Sequence, residues 1–322
     1  MTIDYKKILT NRKLILNAAK IAIAAGLIFY IVKHINVYDI YLTVQQSNTA
    51  FIIIALLLMP LNIYLQYKKW ELTCSNFLNY TVKSKILLSL FYGFSAGIFT
   101  PLRVGEFFAR AIPIEGKPVL HIAAASFADK LFTLIMVAFC GALASAAYLF
   151  YFYSIPYYTI LSMLFVIIAL FGMVIYLFIT ESFWDNVLIG KLKDKKIFTA
   201  YKEKFALLKM TGRHYSLKML ALSFGFYACY IIQFSFLLAA FSGKYKAIVY
   251  IWISNLIMFS KTLIPISFGE LGVREGASVY FIQKFGESAA AGFNASIFLF
   301  LINVMIPAAV GMILLAKNND NK

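Results

Sequence analysis

Two stretches decide how this chain is read: Pro101-Leu102-Arg103-Val104-Gly105-Glu106-Phe107-Phe108-Ala109-Arg110 and Pro265-Ile266-Ser267-Phe268-Gly269-Glu270-Leu271-Gly272-Val273-Arg274. Both carry Pro-x3-Gly-Glu-x3-Arg, and the second follows the first by 265 − 101 = 164 residues, about half of the 322-residue chain. Each is a helix breaker followed by a Glu and an Arg four apart, set inside apolar sequence. The spacing places each Glu and Arg on one helix face, in the Glu-first orientation that favours pairing. A pattern that recurs at half the chain length points to an internal structural repeat.

The surrounding composition supplies the solvent. The chain is 62% hydrophobic and 14% charged, with a mean hydropathy of +0.80, far from the roughly 25% charged residues of a soluble domain. It reads as an all-α polytopic membrane protein, a single integral membrane domain over residues 1–322. Apolar runs predict about six full spans, near 16–33, 50–67, 119–149, 157–180, 216–241 and 288–315. The stretches near 86–112 and 247–283 are apolar but interrupted by Pro, Gly and charge. The first span reads as an uncleaved anchor, because apolar residues continue through Gly26 to Val32.

The 30 Lys and Arg against 14 Asp and Glu give a formal charge of +16. In so apolar a chain the excess belongs in cytoplasmic loops, and a nucleic-acid partner is excluded. Lys6, Lys7, Arg12, Lys13 and Lys20 flank the first span, whereas residues 36–49 carry no base, so the N-terminus is expected in the cytoplasm of a bacterial-type plasma membrane. Lys68, Lys69, Lys83 and Lys85 mark the next loop as cytoplasmic. The segment 181–215 is a basic connector in which Phe198, Tyr201, Phe205 and Leu208 recur at helical spacing, as in an amphipathic helix lying on anionic inner-leaflet lipid. Cys74, Cys140 and Cys229 are odd in number and widely spaced, and the histidines are only His34, His121 and His214. Neither a disulfide framework nor a metal site is expected, nor any cofactor.

Shifting the first half by 164 residues lays the span at 50–67 on 214–231 and the motif on its copy, giving repeat halves at 50–149 and 214–315. Counting crossings from a cytoplasmic N-terminus, the first broken segment starts and ends inside and the second starts and ends outside. The expected architecture is therefore an inverted-topology repeat with two re-entrant broken helical hairpins. Breaks fall at Pro101 and Pro265, with Gly105, Gly269 and Gly272 allowing close backbone approach. Both termini are then cytoplasmic.

Charged residues at membrane depth each cost about 2.5–3.5 kcal/mol on insertion scales and must pair or line a polar cleft. Arg103, Glu106, Arg110, Asp129, Lys130, Glu270, Arg274 and Glu275 are the candidate substrate-binding residues. They read either as staples that hold the hairpins or as a midplane cleft whose Arg forks receive an anionic group, Arg110 and Arg274 serving as two related guanidinium sites. Asp129 and Lys130, adjacent in sequence, could also neutralise one another.

Gly97-Ile98-Phe99-Thr100-Pro101-Leu102-Arg103-Val104-Gly105-Glu106, Ala128-Asp129-Lys130-Leu131-Phe132 and Pro265–Glu275 together resemble the lysylphosphatidylglycerol synthetase transmembrane-region family. Asp129-Lys130 stands where the family pattern has an acid followed by Arg, and Glu270 where a small residue is common. The resemblance implies a flippase-like module moving a phospholipid or other anionic amphiphile, with relatives linked to hopanoid transport and polyprenyl-linked sugar pathways. Bifunctional relatives add a cytosolic aminoacyl-transferase domain, for which the seven residues after Leu315 leave no room, so no enzyme activity is expected. The alternatives are a non-enzymatic subunit of an envelope-lipid or glycan synthesis complex, or an intramembrane lipid-phosphate transferase. Membrane lipids are the expected partners, and a homo-oligomer is compatible with the sequence.

The topology has a direct test. Single cysteines at Lys83 and Lys117 are expected to label from the cytoplasmic face, and those at Lys244 and Lys284 from the outer face. Labelling of positions 83 and 117 from opposite faces would overturn the first hairpin.

Overall fold

The structure is a computed structural model that describes residues 37–100, 103–179, 213–264 and 272–320. The expected span at 16–33 and most of the connector, 181–212, lie outside these residues. So do Pro101, Pro265, Gly269 and Glu270.

Every regular element among the described residues is helical: α1 (Val37–Gln45), α2 (Thr49–Phe77), α3 (Lys83–Ile98), α4 (Val104–Ala109), α5 (Val119–Tyr153), α6 (Tyr157–Ile179), α7 (Arg213–Ser242), α8 (Ala247–Leu263), α9 (Val273–Lys284), α10 (Ala289–Phe300) and α11 (Ile306–Asp320). A single π-turn, Leu301–Met305, joins α10 to α11 in one rod. Five of these helical rods are long and apolar enough to cross a membrane: α2, α5, α6, α7 and the α10–α11 rod. Phe165 is 74% and Ile248 83% exposed. A surface so rich in large apolar side chains suits a lipid solvent, and the chain is a multi-pass membrane protein.

The broken stretches break near the expected positions. α3 stops at Ile98 and α4 starts at Val104, entered through Arg103 at φ 55°. α8 stops at Leu263 and α9 starts at Val273, entered through Gly272 at φ 101°, a backbone region open to glycine. The Glu275 carboxylate accepts the Gly272 N–H at 2.6 Å and so caps α9. Gly105 donates its N–H to Thr100 Oγ1 at 2.8 Å, and a Cβ there would stand 2.8 Å from the Ala96 carbonyl oxygen. In both broken segments the two ends meet. Lys85 pairs with Glu115 at 3.3 Å, and Lys246 pairs with Glu287 at 2.6 Å.

α7 is the axis of the bundle, with 67% of its apolar window buried against 11% for α2 and none for α6. It packs on α2, α5, α8 and α10. Between helices in lipid, close approach depends on small residues and polar links rather than on escape from water. A Cβ at Gly141 on α5 would collide with Phe259 on α8, and one at Gly311 on α11 with the Phe91 carbonyl and Ser95 on α3. Ser95 also donates to the Ala308 carbonyl at 2.9 Å, and Trp252 donates to the Ala144 carbonyl at 2.8 Å.

Two boundary expectations need correction. α2 runs ten residues beyond the expected end of its span, so Lys68 and Lys69 belong to a helix and not to a loop. Lys69 is 3% exposed, and its charge is met by Asp129 at 3.3 Å, which lets the helix continue through it. Likewise Arg213, His214 and Tyr215, at the end of the expected connector, open α7. Tyr215 is buried there because its ring meets Phe77 at 5.4 Å and Phe132 at 6.0 Å.

Replacing Gly141 or Gly311 with Leu forces apart helices that touch through those residues, and is expected to lower stability by about 1–3 kcal/mol. Gly172, in the middle of α6, has open space where its Cβ would be. Gly172→Ala should be neutral or slightly stabilising. Thermal unfolding in detergent would check this, and equal behaviour of all three variants would contradict the packing scheme.

Candidate functional site

The candidate charged residues of the first half converge on one cavity of about 350 Å³, between the α3–α4 turn, α2, α5 and α7. Arg103, Glu106, Arg110, Asp129 and Lys130 all line it, joined by Lys69 from α2 and Lys261 from α8. Its mouth is apolar. Phe127 is 55% and Leu134 45% exposed, so this rim faces the lipid side of α5.

Glu106 is the hub. It is 2% exposed and sits in the first turn of α4, where the helix dipole favours an anion. Its Oε1 accepts from Arg110 Nη2 at 2.7 Å, while Oε2 accepts from Lys130 Nζ at 2.7 Å and meets Arg103 Nε at 3.1 Å. The expected i,i+4 pairing of Glu106 and Arg110 is present. Arg110 reaches Asp129 Oδ2 at 3.3 Å with its other amino group, and Lys69 holds Asp129 Oδ1 at 3.3 Å and donates to Thr133 Oγ1. Asp129 and Lys130 therefore do not pair with each other: on a helix neighbours point about 100° apart, and each finds a different partner.

The backbone is shaped to admit this cluster. Gly93 and Gly97 lie one turn apart on α3, facing α4. A Cβ at Gly93 would stand 2.9 Å from Arg110 Cγ and 3.0 Å from Glu106 Cγ, and one at Gly97 would stand 3.1 Å from Arg103 Nε. The Arg110 guanidinium also lies 4.5 Å from the Trp70 ring centroid, a desolvated cation–π contact. Trp70 Nε1 donates to Ser89 Oγ at 3.2 Å, and Ser89 donates to the Arg110 carbonyl at 2.6 Å.

Asn62 and Asn303 also line the cavity and belong to an amide chain behind it. Asn62 donates to Asn303 Oδ1 at 3.1 Å, Asn303 donates to Gln233 Oε1 at 2.7 Å, and Gln233 donates to the Ala55 carbonyl at 2.7 Å. Asn303 lies in the π-turn. Pro307, four residues on, has no N–H to give the Asn303 carbonyl and its ring crowds it, so the helix widens locally and the Ile306 N–H bonds back to Leu301.

The second-half candidates lie elsewhere. Arg274 and Glu275 are fully buried and do not line the cavity. Arg274 Nη2 meets Glu275 Oε1 at 2.8 Å, its Nε donates to Ser296 Oγ at 2.9 Å, and its guanidinium lies 5.7 Å from the Phe300 ring centroid. Arg274 thus does not line the cavity that holds Arg110, and it meets the acid next to it in sequence. Glu270, its expected partner, is outside the described residues.

Lys69, Asn62, Thr133, Gln233 and Asn303 were not among the expected site residues. A signal for Lys69 was available: it lies 164 residues before Gln233, which falls in the middle of an unbroken apolar span. Among the described residues no group of three or more His, Cys, Asp or Glu side chains is placed to hold a metal.

The cavity thus gathers more cations than carboxylates. Around its two carboxylates stand Lys69, Arg103, Arg110 and Lys130, with Lys261 further along the wall. Arg103 and Lys130 are the accessible cations of the cluster, with side chains 18% and 34% exposed, while Arg110 and Lys69 lie deeper at 2% and 4%. Basic groups in excess at membrane depth, next to a lipid-facing rim, suit the phosphate of an amphiphile. No curated protein matches this chain. The family model for the lysylphosphatidylglycerol synthase TM region matches residues 17–311, nearly the whole sequence, and the protein belongs to that family.

Proposed function

We propose that this protein moves a phospholipid or other anionic amphiphile between the leaflets of a bacterial-type plasma membrane, passing the headgroup through the cavity around Glu106. The observation that carries the reading is the cluster itself: four basic side chains around two carboxylates, inside a helical bundle, beside an apolar rim. A headgroup phosphate entering past Phe127 meets Arg103 and Lys130 first. Both are held by one oxygen of Glu106, and an incoming phosphate competes with that carboxylate for them. When the headgroup leaves, Glu106 takes both cations back, so neither is left without a counter-charge. As proposed, the site binds and releases and forms no covalent bond. Family membership supports a lipid-related role in the membrane.

The proposal includes two inverted repeats, each with a re-entrant hairpin, and both termini in the cytoplasm. Helix extents support it: a shift of 164 residues carries Thr49–Phe77 onto 213–241 and Lys83–Ile98 onto 247–262, beside the observed Arg213–Ser242 and Ala247–Leu263. A shift of 170 carries the start of α5 at 119 onto the start of α10 at 289, and Gly141 onto Gly311. Those two glycines each seat the first helix of the opposite half's hairpin, as a two-fold relation requires. The polar contact of Lys69 with Thr133 recurs as that of Gln233 with Asn303, by the same two shifts. A segment whose ends are ion-paired, as Lys85 is to Glu115 and Lys246 to Glu287, starts and finishes on one face.

Transport of fluorescent lipids in proteoliposomes tests the site. Arg103→Gln and Lys130→Gln each remove one charge-assisted contact worth about 1.5–3 kcal/mol, so a loss of about 10- to 100-fold in rate is expected with the fold intact. Arg110→Gln leaves Glu106 with Arg103 and Lys130 and Asp129 with Lys69, but removes the cation that joins the two carboxylates, and should cost about 1.5–3 kcal/mol of stability. If the Arg103 and Lys130 variants both translocate lipid at the parent rate, the charges are staples and the proposal fails.

A further inference from the structure

α2 presents two adjacent lysines to different surroundings: Lys69 faces the central cavity, while Lys68 lies on the outer face in an open groove. One end of the groove, about 600 Å³, lies between α2, the turn before α3, and α7, and carries Lys68, Lys83 and Lys218. The other end, about 560 Å³, runs between α2 and α3 over Met59, Pro60, Ile63 and Leu87, and shares Lys83 with the first. Positions 60, 63, 67, 71 and 75 of α2 recur every three or four residues, so both parts follow one helix face. From Met59 to Ser75 the face is about 24 Å long, matching a headgroup plus the roughly 15 Å of one leaflet's hydrocarbon.

The two ends differ in chemistry as the two ends of a phospholipid do. At the basic end Glu71 balances Lys68 at 2.7 Å. Among the described residues Lys83 and Lys218 form no ion pair; both are exposed, and hydroxyls of Ser75 and Thr81 lie beside them. The other end offers aliphatic side chains, with Leu87 40% exposed. We infer that this groove is a binding site for one anionic phospholipid, its phosphate among Lys68, Lys83 and Lys218 and an acyl chain along Met59, Ile63 and Leu87. This site does not depend on the central cavity being a translocation path. Its occupant touches α2, α3 and α7 at once and would tie the first broken segment to the bundle axis.

Thermal unfolding of the delipidated, detergent-purified full chain tests this, with phosphatidylglycerol or phosphatidylcholine added. Phosphatidylglycerol at about 100 times its dissociation constant is expected to raise the parent midpoint by about 5 °C, and phosphatidylcholine by little. The double variant Lys83→Gln, Lys218→Gln should lose most of that shift, while Lys284→Gln keeps it. Equal shifts with the two lipids, or a full shift in the double variant, would overturn the site.

Discussion

Three cations converge on the carboxylate of Glu106, and most of the first half is arranged to let them. Arg103 approaches from a left-handed backbone position, Arg110 from one turn further along, and Lys130 from α5. A buried carboxylate without partners is costly in any medium and more so in lipid, so the backbone conforms to the charge. Gly93 and Gly97 let α4 come close enough to α3 for these side chains to fit. Arg110 then carries the constraint to Asp129, and Lys69 carries it to α2. Three helices that gain little from escaping water are locked in register by one chain of opposite charges.

Among the described residues the second half offers an amide contact at the corresponding sequence positions. Where α2 and α5 bring Lys69 to Thr133, α7 and the π-turn bring Gln233 to Asn303. Arg274 turns away from the cavity to Glu275 and Ser296, inside a fully buried cluster that also caps the start of α9. The cavity thus combines the charged cluster of the first half with the amides of Asn62 and Asn303.

Much of this was legible in the sequence because breakers in apolar sequence are rare. Pro101 and Pro265 marked the breaks within a few residues, and the Glu106–Arg110 spacing gave a pair that forms. Arg103, Glu106, Arg110, Asp129 and Lys130 were selected on cost alone, and they meet in one cavity. Lys69 was misread because two lysines at the fading end of an apolar run look like a loop, and the charge that keeps one of them in the helix lies sixty residues away in Asp129. Arg274 also meets Glu275, a contact that the four-residue spacing to Glu270 did not suggest. The amide wall gave no signal by spacing, since Asn62, Gln233 and Asn303 meet only once three separate helices are packed.

The two ion pairs at the necks of the broken segments differ from everything else in the charge network. Lys85 and Glu115 have side chains 41% and 80% exposed, and Lys246 is 44% exposed. Pairs that wet are worth at most about 1 kcal/mol and are weakened further by salt, whereas the pairs around Glu106 are shielded from both. The molecule is thus stiff at its centre and loosely latched at its rims. Salt therefore acts on these rim contacts from outside and leaves the cluster within undisturbed.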